Sequence, residues 1–471
     1  MAIKLRIAEG FYKSRSLPLS HQECVNWYPN IPQTKGALSE AMLFGTPGIE
    51  QVAGTSFYRD STRGAWVMEG IPYFVCGNVL YSLDTDDAEY SKTSLGTIPG
   101  SGRVSMADNG SQLMILVPGA TGYIYTVEGG LHMITDSDFY ANGNPQQVVF
   151  IDGYFACSTD TKKWIISALN DGMSWDALDF SSAESAPDNT VAPVVVNNQI
   201  FILGARTTEG FQNIGGSGFP FQRSGTFLDK GCVAPFSVVN TGGSYYMIGA
   251  GKDESPAVWR FAGSQYAKVS TTAVDSYIAG LDDDVVAAAF GFGYADVGAY
   301  FVGFSFRGTT LVYDQVSGLW HERRSRINDV DGYWRANAIV SAYGKTIVGD
   351  SFDGRIGILA HNIYDEYGHN IIRAFTTQVF ESGSDPFALS KVDATFESGV
   401  GNADVPEPKV SMSVSRDGRT FDFERLRAIG RVGEYGQRVI WRGIGRFPRF
   451  GYLRFRLSDP VKPVIIKVEV E

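Results

Sequence analysis

The stretches GIPYFVCG (70–77), NGSQLMILV (109–117), DGYFACS (152–158), NNQIFILGA (197–205), GGSYYMIGA (242–250), GAYFVGFSF (298–306) and YGKTIVGD (343–350) share one pattern. Each is a turn containing Gly, Asn or Asp, followed by an apolar strand. Measured at Gly70, Gly110, Gly153, Asn198, Gly243, Gly298 and Gly344, the successive spacings are 40, 43, 45, 45, 55 and 46 residues. Most units then carry a second strand, as in VLYSLD (79–84), YIYTVE (123–128), KWIISAL (163–169), AVWRFAG (257–263), TLVYDQVSGLW (310–320) and RIGILAH (355–361). A period in the mid-forties built from short strands predicts a β-propeller. A four-stranded blade has two apolar faces, and only a closed ring of blades covers both. Six or seven blades fit residues 52–361, with the long sixth spacing swollen by an insertion near 271–284. A large β-sandwich with the same turn spacing is the competing architecture, and no WD or Kelch signature fixes the blade number.

Helical periodicity is confined to 272–281, where Ala273, Tyr277 and Leu281 share a face and Thr272 with Asp275 forms a candidate capping box. Past residue 370 the blade period stops. RAFTTQVF (373–380), KVDATFES (391–398), KVSMSVS (409–415), YLRFRLS (452–458) and PVIIKVEVE (463–471) alternate as in a sandwich. At the other end, Pro18, Pro29, Pro32 and Pro47 mark an irregular segment able to run over a neighbouring surface. The expected chain is all-β: an N-terminal arm at 1–51, a six- or seven-bladed propeller at 52–370 and a C-terminal β-sandwich-like domain at 371–471.

Composition agrees with turns and packed strands. The 471 residues include 54 Gly and 61 aromatics, with only 19% charged. A net charge of -11 argues against a general DNA binder. That charge is segregated, however. Residues 416–456 hold 11 Arg, no Lys and four acids, a balance of +7, which leaves -18 for the rest. Arg without Lys suits bidentate contact with carboxylate or phosphate. Three readings follow: an interface with an acidic partner subunit, phosphate contact with DNA, or cross-strand Arg on a solvated sheet face. Cys24, Cys76, Cys157 and Cys232 are too far apart for a CxxC and read as free, mostly buried thiols of a reducing compartment. With no secretory signal and no apolar span, the expectation is a soluble protein made in the cytoplasm.

Catalytic motifs are missing. There is no GxSxG, GxxxxGK[ST] or HExxH. His21, His132, His321, His361 and His369 are scattered, and Asp282–Asp284 reads as a solvated acidic turn. DGMSW (171–175) and SRDGRTF (415–421) approach the sialidase Asp-box but lack one of its residues, so they read as turn chemistry. A carbohydrate-active propeller, glycosidase or lectin-like, binding host surface polysaccharide is the alternative function. No catalytic residue, metal ligand or cofactor is expected.

Four blocks, in order along the chain, carry a resemblance. They are Asn26-Trp27-Tyr28-Pro29 with Gly45-Thr46-Pro47-Gly48; Ile166–Gly172 with Trp175–Phe180 and Ala183-Glu184; Phe219-Pro220-Phe221 with Gly231–Pro235 and Val269-Ser270-Thr271; and Gly433-Glu434-Tyr435-Gly436 with Arg438, Trp441-Arg442 and Ser458–Val461. Together they resemble the packaged-DNA stabilisation proteins, the tail hub or nozzle proteins of short-tailed bacteriophages. The resemblance implies a non-enzymatic structural virion protein, assembled in the host bacterial cytoplasm as a homo-hexamer around the tail axis. It implies a place below the portal and adaptor, closing or extending the DNA exit channel. The implied partners are the adaptor, the tail needle or fibre, tailspikes, and packaged double-stranded DNA that passes without sequence-specific binding. An acidic chain suits such a wall, because like charge keeps DNA from sticking. Candidate interface residues are Trp27 and Tyr28 in the arm, and Arg438, Trp441, Arg442, Arg446, Arg449, Arg454 and Arg456 in the Arg-rich module.

Overall fold

A computed structural model describes every residue except 1–2, 8, 33, 35, 53–60, 87–88, 184–187, 217, 297 and 384. Glu184, part of the second block above, therefore lies outside the described residues.

The recurrent turns are the hairpins at which blades begin. At Glu69–Gly70, Asp152–Gly153, Asn197–Asn198 and Tyr343–Gly344, both central residues have φ between 50° and 90°. That is the two-residue turn whose twist matches antiparallel strands, and it explains the Gly, Asn and Asp at these positions. Each turn joins a blade's first strand to its second, as Thr62–Met68 to Ile71–Cys76, or Pro145–Ile151 to Tyr154–Thr159.

Among the described residues seven such sheets form a ring, blades 1 to 7, which begin at Thr62, Ser105, Pro145, Thr190, Gly231, Phe290 and Ala336. The first strands face the axis, and blade 7 packs back onto blade 1. One apolar cluster fills each of the seven blade–blade interfaces, for instance Trp164, Ile200, Phe211 and Phe221 between blades 3 and 4. The seventh interface, between blades 7 and 1, holds Val52, Phe74, Leu83, Ile347 and Ile356. Blade 5 has a split first strand, with Gly231–Cys232 and Val239–Asn240 both pairing Tyr245–Ala250. The insertion after it forms two short helices, Thr272–Ile278 and Asp283–Ala287. Thr271, one residue before the expected cap, accepts from Val274 N. Asp275 instead accepts from Ser270 Oγ at 2.6 Å and pairs with Lys268.

The first 51 residues thread through both halves of the molecule. Gly48–Gln51 is the fourth strand of blade 7, paired with Ile356–Ala360, so the ring is closed by an early and a late segment together. Cys24–Val25 lies between blade 6 and Arg373–Thr376, making one continuous sheet from propeller into sandwich. Trp27–Asn30 and Met42–Gly45 extend the second sandwich sheet, while Ile3–Leu5 pairs with the C-terminal strand Val464–Val470. The sandwich core contains Trp27, Leu43, Phe375, Val392, Met412, Trp441 and Phe455. Its sheets end in Val439–Phe447 and Arg425–Ala428. All four cysteines are free and buried. No helix among the described residues is long and apolar enough to cross a membrane.

Candidate functional site

Three regions of the molecule carry unusual chemistry. The first is the propeller bore, a cavity of about 560 Å³ lined by the inner strands of the ring. Arg103, on the connection between blades 1 and 2, reaches across it to blade 7. Its Nη1 and Nη2 donate to Asn337 Oδ1 at 2.5 Å and Asn337 O at 2.8 Å. The guanidinium carbon sits 3.9 Å from the Phe290 ring centre of blade 6. Desolvation lowers its pKa to about 9, so it stays cationic at neutral pH. A space of this size suits a small molecule or side chains, and it is too small for a nucleic-acid duplex.

The second region is the junction of propeller and sandwich, organised by Asn26 at φ 57°. Its amide donates to Arg324 O at 2.9 Å and Ile372 O at 2.8 Å, and its Oδ1 accepts from Arg324 N at 2.9 Å. One side chain therefore ties blade 6 to the segment entering the sandwich. Two fully buried arginines flank it. Arg323 donates to Pro47 O and Tyr294 Oη and lies 3.6 Å from the Trp334 ring centre. Arg373 donates to Thr46 O and Tyr364 O, and burial lowers its pKa to about 10. The glycines of the Gly45–Gly48 block are required by close approach: a Cβ would lie 2.0 Å from Pro463 at Gly45, and 2.4 Å from Asp365 O at Gly48.

The third region is the Arg-rich module. Most of its arginines are engaged within the chain. Arg416 donates to Arg446 O and Ile444 O, Arg425 pairs with Asp422, Arg427 donates to Ile440 O, and Arg431 pairs with Glu407. Of the predicted residues, Arg438 pairs with Asp393, Arg456 with Glu424 at 2.8 Å, and Arg454 stacks 4.1 Å from the Phe421 ring centre. Trp27 and Trp441 are sandwich core residues, so they act on any outer surface only through the strands they hold. Tyr28 is half-buried against Phe301 and Phe44. Arg442, Arg446 and Arg449 are exposed and, among the described residues, hold no ion pair; Arg419 is a fourth. Phe423, Leu426, Val432 and Tyr435 of the same module are also exposed. The sequence reading missed these apolar residues as a group. Their signal was apolar side chains interleaved with Arg in a segment without strand periodicity.

The two Asp-box-like segments are turns. Asp171 Oδ1 accepts from Met173 N, and the Trp175 indole donates to Gly172 O. Asp417 accepts from Thr420 and Arg419 backbone N–H, which together hold its carboxyl well below the usual range. No cluster of three or more metal-ligating side chains occurs among the described residues.

Comparison with known proteins divides the chain as the structure does. Residues 3–364 match the family described as bacteriophage P22 Gp10, β-propeller, and residues 372–471 match bacteriophage P22 Gp10, β-sandwich. The tail hub protein gp10 of Salmonella phage P22 is 24% identical over 417 residues, 84% of this chain and 86% of that protein. Among solved structures, the WD40 β-propeller domain of Doa1 is 12% identical with a TM-score of 0.41, covering 66% of this chain and 97% of that one. PorZ of Porphyromonas gingivalis, a surface component of the type-IX secretion system, is 9% identical with a TM-score of 0.41, covering 66% of this chain and 38% of that one.

Proposed function

Because the chain belongs to the bacteriophage P22 Gp10 family through both its propeller and its sandwich, we propose that it is a tail hub subunit of a bacteriophage virion. Six copies surround the tail axis below the portal and adaptor, close or extend the DNA exit channel, and retain packaged DNA. The outside of the ring docks the tail needle or fibre and the tailspikes. Assembly takes place in the host bacterial cytoplasm. The observation that carries this reading is the ordered match of both domains, reinforced by a relative of known tail hub identity aligned over 84% of the chain.

The structure supports a mechanical role. Seven packed interfaces, a strand exchanged between the ends of the ring and a sheet shared by the two domains leave few joints that yield under load. With the bore occupied by Arg103, DNA runs between subunits and not through each propeller. The test is deletion of the gene from its phage. Expected are filled heads that lose DNA and lack a complete tail, rescued by the wild-type chain supplied in trans. Deletion particles that keep their DNA and show full tails by electron microscopy overturn the proposal.

A further inference from the structure

One side of the sandwich is built like half of an interface. The terminal strands of its two sheets meet there: Arg427 Nε donates to Ile440 O at 3.0 Å, and the Trp441 indole to Arg425 O at 2.7 Å. Beside this seam Phe423 and Leu426 are 72% and 57% exposed. Arg419, Arg442, Arg446 and Arg449 add cations that, among the described residues, have no carboxylate within ion-pair distance. Single exposed apolar side chains are ordinary. Two beside one seam, on a module with four Arg outside any ion pair among the described residues, have the composition of a docking surface.

A complementary feature lies on the outer rim of blade 3. Its edge strand Asp171–Ser182 carries Leu178, 78% exposed, between Asp176 and Asp179. Leu169, on the preceding turn, is 59% exposed. Neither Asp176 nor Asp179 forms an ion pair among the described residues. Desolvation, and then the charge of Asp176, push the Asp179 carboxyl up, as expected of a pair lacking a cation. Asp136 and Asp138 lie beside them, accepting from the backbone N–H of Trp175 and Ala177. This rim is acidic and apolar, as the sandwich seam is basic and apolar.

In a seven-bladed ring, blade 3 stands across from the junction of blades 6 and 7, where the arm and sandwich attach. The two surfaces therefore sit at opposite ends of one molecule and cannot meet within it. Twofold pairing would set Arg against Arg. Head-to-tail pairing sets Arg against Asp and apolar against apolar, and a heterologous contact of this kind builds a ring when its rotation closes.

We infer that the seam around Phe423, Leu426, Arg442 and Arg446 docks on the Asp176–Leu178–Asp179 rim of blade 3 in a second copy of this chain. The inference rests on the tail hub reading for its setting, and it names the surfaces by which hub subunits hold one another. The DNA phosphate backbone is the competing occupant of the seam, and it would leave the blade 3 rim without a role.

The experiment is sedimentation velocity of the full chain over a concentration series at low and high salt. Three variants accompany it: R442E/R446E, D176R/D179R, and the chain carrying all four changes. Every altered residue is at the surface, and unchanged melting curves show that the fold is intact. Expected is salt-sensitive self-association, weakened at least about tenfold by either pair of reversals and recovered when all four are combined. Mixing the two single-surface variants restores association, because the Glu seam of one meets the Arg rim of the other and the remaining seam and rim are native. Self-association unaffected by either pair, or no recovery in the combined chain, overturns the inference. So does a wild-type chain that stays monomeric at every concentration. In each of these cases the hub reading stands if the chain is still found in virion tails, and absence from tails is what defeats that reading.

Discussion

Arg103 and Asn337 lie 234 positions apart and meet across the propeller axis, where two guanidinium nitrogens donate to the side-chain and backbone oxygens of Asn337. The Asn337 amide donates in turn to Thr62 O. One contact thus joins the start of the ring, the connection between its first two blades and its last blade. Arg103→Ala removes two charge-assisted hydrogen bonds and the stacking on Phe290, at an expected cost of about 2–4 kcal/mol. Arg103→Lys keeps the charge without the planar fork and recovers less than half of that loss. Denaturant unfolding of both variants checks the order.

The blade turns were legible because a positive φ at two successive positions restricts residue type sharply. The blade number was not, since the fourth strand of blade 7 is Gly48–Gln51, far from its other three strands, and the first strand of blade 5 is split. Cys24–Val25 is two residues long and has no periodicity to read. Trp441 stands beside Arg442, and sequence alone gives both the same interface reading. In the strand Val439–Phe447 the first is buried and the second exposed, because adjacent residues point to opposite faces. The partner of Arg438, Asp393, is 45 positions away, and no spacing rule finds it.

Asn26 makes three hydrogen bonds across the junction from a left-handed backbone. Asn26→Ala leaves two carbonyls and one N–H without that partner and strains the backbone. The expected loss is about 2–4 kcal/mol. Amide exchange should rise first in Cys24–Val25 and Arg373–Thr376, the strands tied by this residue. Asn26→Gly relieves the strain alone, and its smaller loss separates the two contributions.

Glu23 supplies a pH dependence. Burial alone would raise its pKa, but His21 and Lys13, the latter with Nζ 2.6 Å from the carboxylate, hold it well below the ordinary 4.5. A depressed carboxyl contributes stability above its unfolded pKa, and that contribution is lost as pH falls through the folded value. Wild type should exceed Glu23→Gln by about 1–3 kcal/mol at pH 7. The difference should shrink progressively as pH drops below 4.5. Parallel melting curves from pH 7 to pH 3 test this, and a gap that stays constant would remove Glu23 as its source.

Trp441 and Arg442 are neighbours whose substitutions should separate stability from assembly. Trp441 is fully buried against Phe455, with ring centres 5.6 Å apart, and its indole donates to Arg425 O. Trp441→Ala opens a cavity at the sandwich core and should cost about 3–5 kcal/mol, lowering the melting temperature whether or not the chain self-associates. Arg442 is exposed, opposite Lys391 in the adjoining strand. Arg442→Glu should change monomer stability by less than about 0.5 kcal/mol, since it removes no ion pair among the described residues and sets an acid opposite Lys391. Its effect should be confined to sedimentation of the assembled form at low salt, where a reversed charge faces the blade 3 carboxylates. A melting temperature lowered by Arg442→Glu as far as by Trp441→Ala would show that Arg442 holds the fold instead of a partner.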